Sequence, residues 1–329
     1  MFSYFSMRII TTKNSSVKTN GLVFKELWKR GYSIEGGNKI WNISDSKLWY
    51  HTSEQAQAFL DLETKDPKQK MFLNKEISLI KQKFPDLVEG VVGKSINLVD
   101  LGCGNGEKAA IFIKEFKDKS KIRYYPIDIN KFMIDKAIKA VSRLKKVKIL
   151  QYKNNLLDFF DFGEVSGAIK TGSFQTNYLL LLGGTLENSD VHELLHEIRS
   201  AMHEGDYLLI GNKLTHPSPA KMVKYYSSSK YIDNLVFKTI EQLGFKRDEL
   251  EYGARFRGNR VEVFYTIKTN KTISSGKRKV DFNKGDKIIM LVSYKYTKDS
   301  LTEVLMTYFD DVEVFVSKDG IFSLALCKK

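Results

Sequence analysis

Through the middle of the chain, short unbroken apolar runs alternate with longer stretches in which apolar residues recur every three or four positions. Runs at 96–101, 122–129, 147–151, 177–182 and 206–210 read as buried strands, and 131–144 and 191–202 carry helical stripes. A third stripe, Ala109, Phe112, Ile113 and Phe116, follows the first run directly. This alternation predicts an α/β fold, a mostly parallel sheet with right-handed crossovers. A helical segment around 75–83 precedes the first strand, whereas 1–70 show no regular strand spacing. After Gly211 the alternation stops. Residues 217–244 read as helical, 261–268 alternate like an antiparallel strand, and a polar connector at 274–276 leads to a strand-like run at 287–296. The end, 312–327 around Lys318-Asp319-Gly320, predicts an antiparallel hairpin. The expected division is therefore a core at 75–213 and 281–329, with a smaller domain built from 1–74 and an insertion at 214–280.

The first strand reaches Asp100 and enters three glycines at alternate positions, Gly102, Gly104 and Gly106, before a helix begins. Strand, glycine turn and helix form a ligand-binding unit at the carboxyl end of a parallel sheet. The dinucleotide fingerprint G-x-G-x-x-G requires its third glycine at position 107, where this chain has Glu107. An acid there suits a helix N-terminus but repels a pyrophosphate. With Asp100 on the other flank, the turn suits a cationic, phosphate-free nucleotide, and S-adenosylmethionine (SAM) is one. Asp128, at the tip of the second strand and roughly 20 residues on, is the expected ribose-binding acid.

Composition narrows the class. The 329 residues are 42% hydrophobic and 28% charged, as in a globular protein. No apolar run reaches the length of a membrane span, and the first twenty residues lack a signal-peptide pattern. The two cysteines, Cys103 and Cys327, make neither a disulfide framework nor a zinc site, so a cytoplasmic protein is expected. The net charge of +14 leaves an alternative in play, an RNA or protein methyltransferase using a basic surface. Its lysines are interspersed with acids, which favours solvated faces over a nucleic-acid partner. His192-Glu193-Leu194-Leu195-His196 spells H-E-x-x-H but lacks a third ligand; no metal is expected.

Several segments in order resemble one family, the histidine-specific SAM-dependent N-methyltransferases of ergothioneine biosynthesis and their relatives. Gly106-Glu107-Lys108 is similar to the family's S/G-E-K, and Tyr125-Pro126-Ile127-Asp128 to its P-x-D. Residues 182–188, Leu-Gly-Gly-Thr-Leu-Glu-Asn, resemble L-G-S-T-I-G-N, and 205–211 resemble G-D-x-L-L-L-G. Arg260 to Val263 resembles R-I-E-M; Phe282, Gly285 and Asp286, followed by 292–296, resemble F-x-x-G-E and x-S-x-K-[YF].

The resemblance implies a Rossmann-like methyltransferase core with a smaller substrate domain. It places SAM on Asp100, Gly102, Gly104, Lys108 and Asp128, with Asn155 beside the adenine. It gives Tyr50 a place near cofactor and substrate, makes Asn188 and Tyr226 the clamp on an amino acid's carboxylate, and lines the pocket with Gly183 and Ser293. Tyr225 is the alternative to Tyr226. The family's glutamate and methionine around the imidazole are replaced by Leu291 and Val263. Leucine offers an imidazole N–H no partner, so a small-molecule substrate with a more apolar side chain than histidine is expected, methylated on its α-amine.

Overall fold

The structure, a computed structural model, describes residues 15–116, 120–144, 147–150, 156–215 and 218–329, with side chains from residue 21 onward. Numbered in chain order, the described strands are β1 (Tyr32–Glu35), β2 (Asn38–Asn42), β3 (Ser95–Leu101), β4 (Lys121–Ile127), β5 (Val147–Ile149), β6 (Thr176–Leu181) and β7 (Tyr207–Lys213). They continue as β8 (Leu250–Arg257), β9 (Arg260–Ile267), β10 (Lys271–Ser275), β11 (Arg278–Phe282), β12 (Lys287–Tyr294), β13 (Asp311–Val316) and β14 (Phe322–Lys328).

Seven of these form the main sheet in the order β13-β14-β7-β6-β3-β4-β5. Strands β3 to β7 run parallel, and the terminal hairpin adds β14 antiparallel to β7. The apolar runs become these strands because both faces are covered: Ile96, Leu98 and Leu180 pack on one side, Val99, Leu101 and Leu179 on the other. Strand order reverses at β3, with β4 on one flank and β6 on the other, so a crevice opens at its carboxyl end. Gly102 and its two alternate glycines lie at that crevice.

The helix expected at 75–83 runs from Pro67 to Val88. Proline at its first position and the Asp66 side chain, which accepts from Lys68 N and Gln69 N, start it eight residues early. Its inner face, Ile80, Phe84 and Leu87, packs into the core beside Phe112 and Phe116.

A second sheet, β1-β2-β12-β9-β8, carries a separate core around Trp41, Val263, Tyr265 and Met290. Here the expected segment boundaries need correction. Strand β12 pairs parallel with β2 and antiparallel with β9, so it belongs to the smaller sheet and not to a core resuming at 281. The chain returns to the main sheet only after Tyr294, through a bridge between Leu214 and Tyr296 and the helix Lys298–Met306. The boundary at 74/75 likewise falls inside the helix Pro67–Val88. Residues 1–70 do contain strands: β1 and β2 form a hairpin across Gly36-Gly37, both at positive φ. That dipeptide is a hairpin signal, masked by the exposure of β1. Among the described residues no helix is long and apolar enough to cross a membrane.

Candidate active site

The cavity at the end of β3 is lined by Gly102, Gly104, Asp100, Asp128, Lys108, Met133 and Phe159, among others. Gly102 and Gly104 turn through positive φ (68° and 52°), and a Cβ on Gly104 would meet no protein atom within 4 Å. The backbone is therefore bare where these glycines line the cavity. Asp128 is held at the mouth by N–H donors of Asn130 (2.9 Å) and Gly104 (3.3 Å). Burial raises its pKa to about 6 despite those bonds. Asp100 accepts from the Tyr124 hydroxyl at 2.7 Å, yet burial lifts it to about 7.

Five carboxylates and two lysines line this space. Such a balance fits a sulfonium-bearing nucleoside and repels a pyrophosphate. The residues present thus fit SAM, and Asp128 and the glycine bend are the residues that would hold it.

A second cavity adjoins the first. Tyr50, Phe59, Glu63, Gly183 and Asn188 line both, so they mark the junction. Beyond it the walls combine apolar residues, including Trp49, Leu62, Phe72, Leu235 and Leu291, with six polar ones, Gln69, Glu76, Glu187, Lys213, Tyr226 and Ser293.

The N-terminal segment reaches this junction because the core holds it. Asn130 caps the helix Lys131–Val141 with its Oδ1, and its Nδ2 donates to the carbonyls of Tyr50 and Thr52 (3.1 Å to the latter). Thr52 in turn forms a capping box with Gln55 on the helix Ser53–Lys65, which carries Phe59 and Glu63 to the cavities. Burial, with Asp128 and Glu63 nearby, pushes the Tyr50 phenol far above its usual range, so it stays a proton donor.

Of the expected site residues, Tyr50, Asp100, Gly102, Gly104, Lys108, Asp128, Gly183 and Asn188 line the first cavity, and Tyr226, Leu291 and Ser293 the second. Asn155 lies outside the described residues. Lys108 is committed to an ion pair with Glu63 at 2.6 Å, with Glu76 at 3.9 Å. Val263 does not reach the cavity. It is fully buried opposite Leu291, one strand farther away, in the smaller sheet's core. Tyr225 points elsewhere, to Asp66 and Gln69, which leaves Tyr226 beside Ser293 at 3.0 Å. Asn188 is not a helix cap: Asp190 caps Val191–Ala201, and the Asn188 amide donates to Gly184 O.

His192, first of the H-E-x-x-H pair, contacts the Tyr308 hydroxyl at 2.9 Å, and no cluster of metal-holding side chains occurs among the described residues. Sequence reasoning missed Asn130, Glu63, Glu187, Lys213 and Lys295. Asn130 carries a local signal, as an N-cap residue two positions beyond Asp128, and Lys295 stands at the lysine of the x-S-x-K-[YF] segment.

The chain is 23% identical over 248 residues to the N-methyltransferase fsqC of Aspergillus fumigatus, covering 73% of this chain and 67% of that protein. Among solved structures it is similar to human N-acetylserotonin methyltransferase in complex with SAM (12% identity, 96% of this chain, 68% of that one, TM-score 0.45). It is also similar to 1,6-didemethyltoxoflavin-N1-methyltransferase of Burkholderia thailandensis, with bound 1,6-didemethyltoxoflavin and S-adenosylhomocysteine (8% identity, 91% and 98% coverage, TM-score 0.40). A family model described as histidine-specific methyltransferase, SAM-dependent, matches residues 71–329, from the long helix before β3 to the last residue of the terminal hairpin. With so much of the chain matched, the protein belongs to the SAM-dependent, histidine-specific methyltransferase family.

Proposed function

We propose that this methyltransferase acts on the α-amine of an amino acid, or of a derivative, whose side chain is more apolar than that of histidine. The observation that carries the reading is the composition of the second cavity. Leu291, Phe72, Leu62 and Leu235 line it, as do Asn188 and Tyr226, whose amide and hydroxyl are able to donate to a carboxylate. An imidazole N–H set against Leu291 loses its water without gaining a partner, a cost of about 1–3 kcal/mol.

Bound SAM supplies a methyl carbon already activated by the sulfonium. The protein's task is to aim a nitrogen at that carbon in line with the sulfur and to exclude water. Asn188, at the junction, and Tyr226, deeper in the second cavity, hold the carboxylate and so fix where the α-nitrogen lies. Tyr50 and Phe59 close the junction, their rings edge to face at 5.2 Å. The amine reacts in its unprotonated form.

Thermal shifts of the protein saturated with S-adenosylhomocysteine test the substrate class, because stabilisation follows occupancy. Leucine, phenylalanine or tyrosine is expected to give a larger shift than histidine; histidine as the strongest ligand would overturn the reading. Asn188→Ala is expected to remove the amino-acid shift while cofactor affinity changes less than threefold. Equal loss of both would deny Asn188 its role.

A further inference from the structure

A third cavity shares Gln69, Phe72, Lys213 and Tyr226 with the second, and shares no lining residue with the cofactor cavity. Four lysines line it, Lys68, Lys213, Lys221 and Lys295, and no acid does so among the described residues. They arrive from the helix Pro67–Val88, from β7, from the helix Pro219–Ser228 and from the residue after β12. Lysines on a solvated surface are spaced among acids; these four converge on one hollow.

Their counter-charge is incomplete. Glu187 does not line this cavity, is 1% exposed, and pairs through Oε1 with Lys213 at 2.8 Å and through Oε2 with Lys295 at 2.7 Å. Neither Lys68 nor Lys221 has an ion pair among the described residues. Lys68 Nζ instead stands 4.4 Å from the centroid of the Tyr225 ring. Asp66, close by in sequence, is already occupied by the Tyr225 hydroxyl (3.0 Å), Ser229 Oγ (2.9 Å) and the N–H groups of Lys68 and Gln69. Burial lowers the Lys68 pKa, and Lys295 and Lys213 push it the same way against Tyr226 and Asp66, so the lysines repel one another across the space. Set against Glu187, the group carries three positive charges in excess, or two when Asp66 is counted as well.

A bound anion relieves such an excess. No arginine lines the cavity, so it offers no flat, two-pronged fork. Ammonium groups act as compact point charges, which suit a small oxyanion approached from several sides.

We propose that the third cavity is an anion site for a phosphate-like oxyanion, apart from the place of the α-carboxylate. Asn188, the other half of the carboxylate clamp, does not line it, and Lys68, Lys221 and Lys295 do not line the second cavity. Tyr226 and Lys213 stand in both walls, so the oxyanion is either the far end of a substrate or a free ion beside it. The site goes beyond the amino-acid reading and stands on the cavity and its lysines alone.

Inorganic phosphate, L-tyrosine and O-phospho-L-tyrosine are titrated calorimetrically into full-length protein saturated with S-adenosylhomocysteine, at about pH 8 where phosphate is a dianion. Lys68→Gln is expected to weaken the phosphoryl contribution about tenfold and Lys68→Glu about a hundredfold, with S-adenosylhomocysteine affinity kept within about twofold. If Lys68→Gln does not fold, as shown by lost S-adenosylhomocysteine binding, Lys221→Gln supplies the same contrast. An oxyanion carried by the substrate makes O-phosphotyrosine bind about tenfold more tightly than tyrosine, a gain that Lys68→Gln abolishes. A free ion instead binds beside tyrosine, and O-phosphotyrosine then binds no better than tyrosine. The site is overturned if neither phosphate nor the phosphoryl group adds affinity in wild type, or if what they add survives in Lys68→Gln. Failure of tyrosine to bind, with phosphate bound and sensitive to Lys68, counts against the amino-acid reading and leaves the anion site standing.

Discussion

Asp128→Ala is expected to weaken cofactor binding about a hundredfold without unfolding the protein. The carboxylate lines the cavity from the tip of β4, where it would accept from the ribose hydroxyls of bound SAM. Charge-assisted bonds of this kind contribute about 1.5–3 kcal/mol each, and a hundredfold loss corresponds to about 2.7 kcal/mol. Asp128→Asn is expected to lose less, since one amide oxygen still accepts from Gly104 N or Asn130 N.

The same site gives a pH dependence with a definite sign. Asp128 and Asp100 are raised by burial to about 6 and about 7, above their unfolded value of 3.8. Below those values they are neutral and no longer attract a sulfonium. SAM affinity is therefore expected to fall as pH drops from 8 through 7 to 5. For the ligand-free fold the linkage runs the other way. Acids with raised folded pKa bind more protons in the native state, so stability declines as pH rises from about 4 to about 7. Calorimetric titration of SAM across this range decides the matter. A dissociation constant that stays flat, or an Asp128→Ala variant with wild-type affinity, would remove Asp128 from the cofactor site.

Gly106→Ala is expected to destabilise the fold by about 3 kcal/mol or more, enough to lower the melting temperature by roughly 4 °C in a chain of this size. Two costs coincide. The residue sits at φ 73°, which a side chain resists by about 1–2 kcal/mol. A Cβ there would also lie 2.5 Å from Ala137 Cα, a backbone atom of the helix Lys131–Val141 that cannot swing aside. Overpacking of this sort costs about 1–3 kcal/mol. Gly104→Ala is the control, strained at φ 52° but with open space before its Cβ. It is expected to keep more stability than Gly106→Ala and to lose cofactor affinity instead. Equal melting temperatures for wild type and Gly106→Ala would show that the two helices do not pack as described.

Gly106 also shows how far local reading reaches. Its early position in the glycine turn is visible in the chain and argues against a dinucleotide. Its reason, the close approach of two helices, is not. The buried strands of the main sheet were legible for a simple cause: each is apolar on both faces, and its pattern needs no knowledge of neighbours. Strands β1, β8 and β10 were not, because they are exposed or half-exposed and alternate poorly. Strand β12 was legible as a strand but misplaced. A run buried on both faces announces burial, not which sheet buries it. Val263 was misplaced for a related reason. It shares a register position with Leu291, and adjacent strands stand about 4.8 Å apart, enough to take one side chain to the cavity wall and the other behind it.

What the chain alone determined is local in sequence: the acid, the glycine bend, the helix after it and the second acid, all within thirty residues of one another. Their chemistry follows from backbone freedom and charge carried by neighbours along the chain. The second cavity is different. Its lining residues Glu63, Glu187 and Lys213 come from three separate segments, and Glu187 pairs with Lys295 across 108 positions. A lysine or glutamate in isolation reads as solvated surface. Only tertiary packing takes these out of water, sets each beside its counter-charge and opens the cavity between them, because burial is a property of the assembled layers and of no single segment.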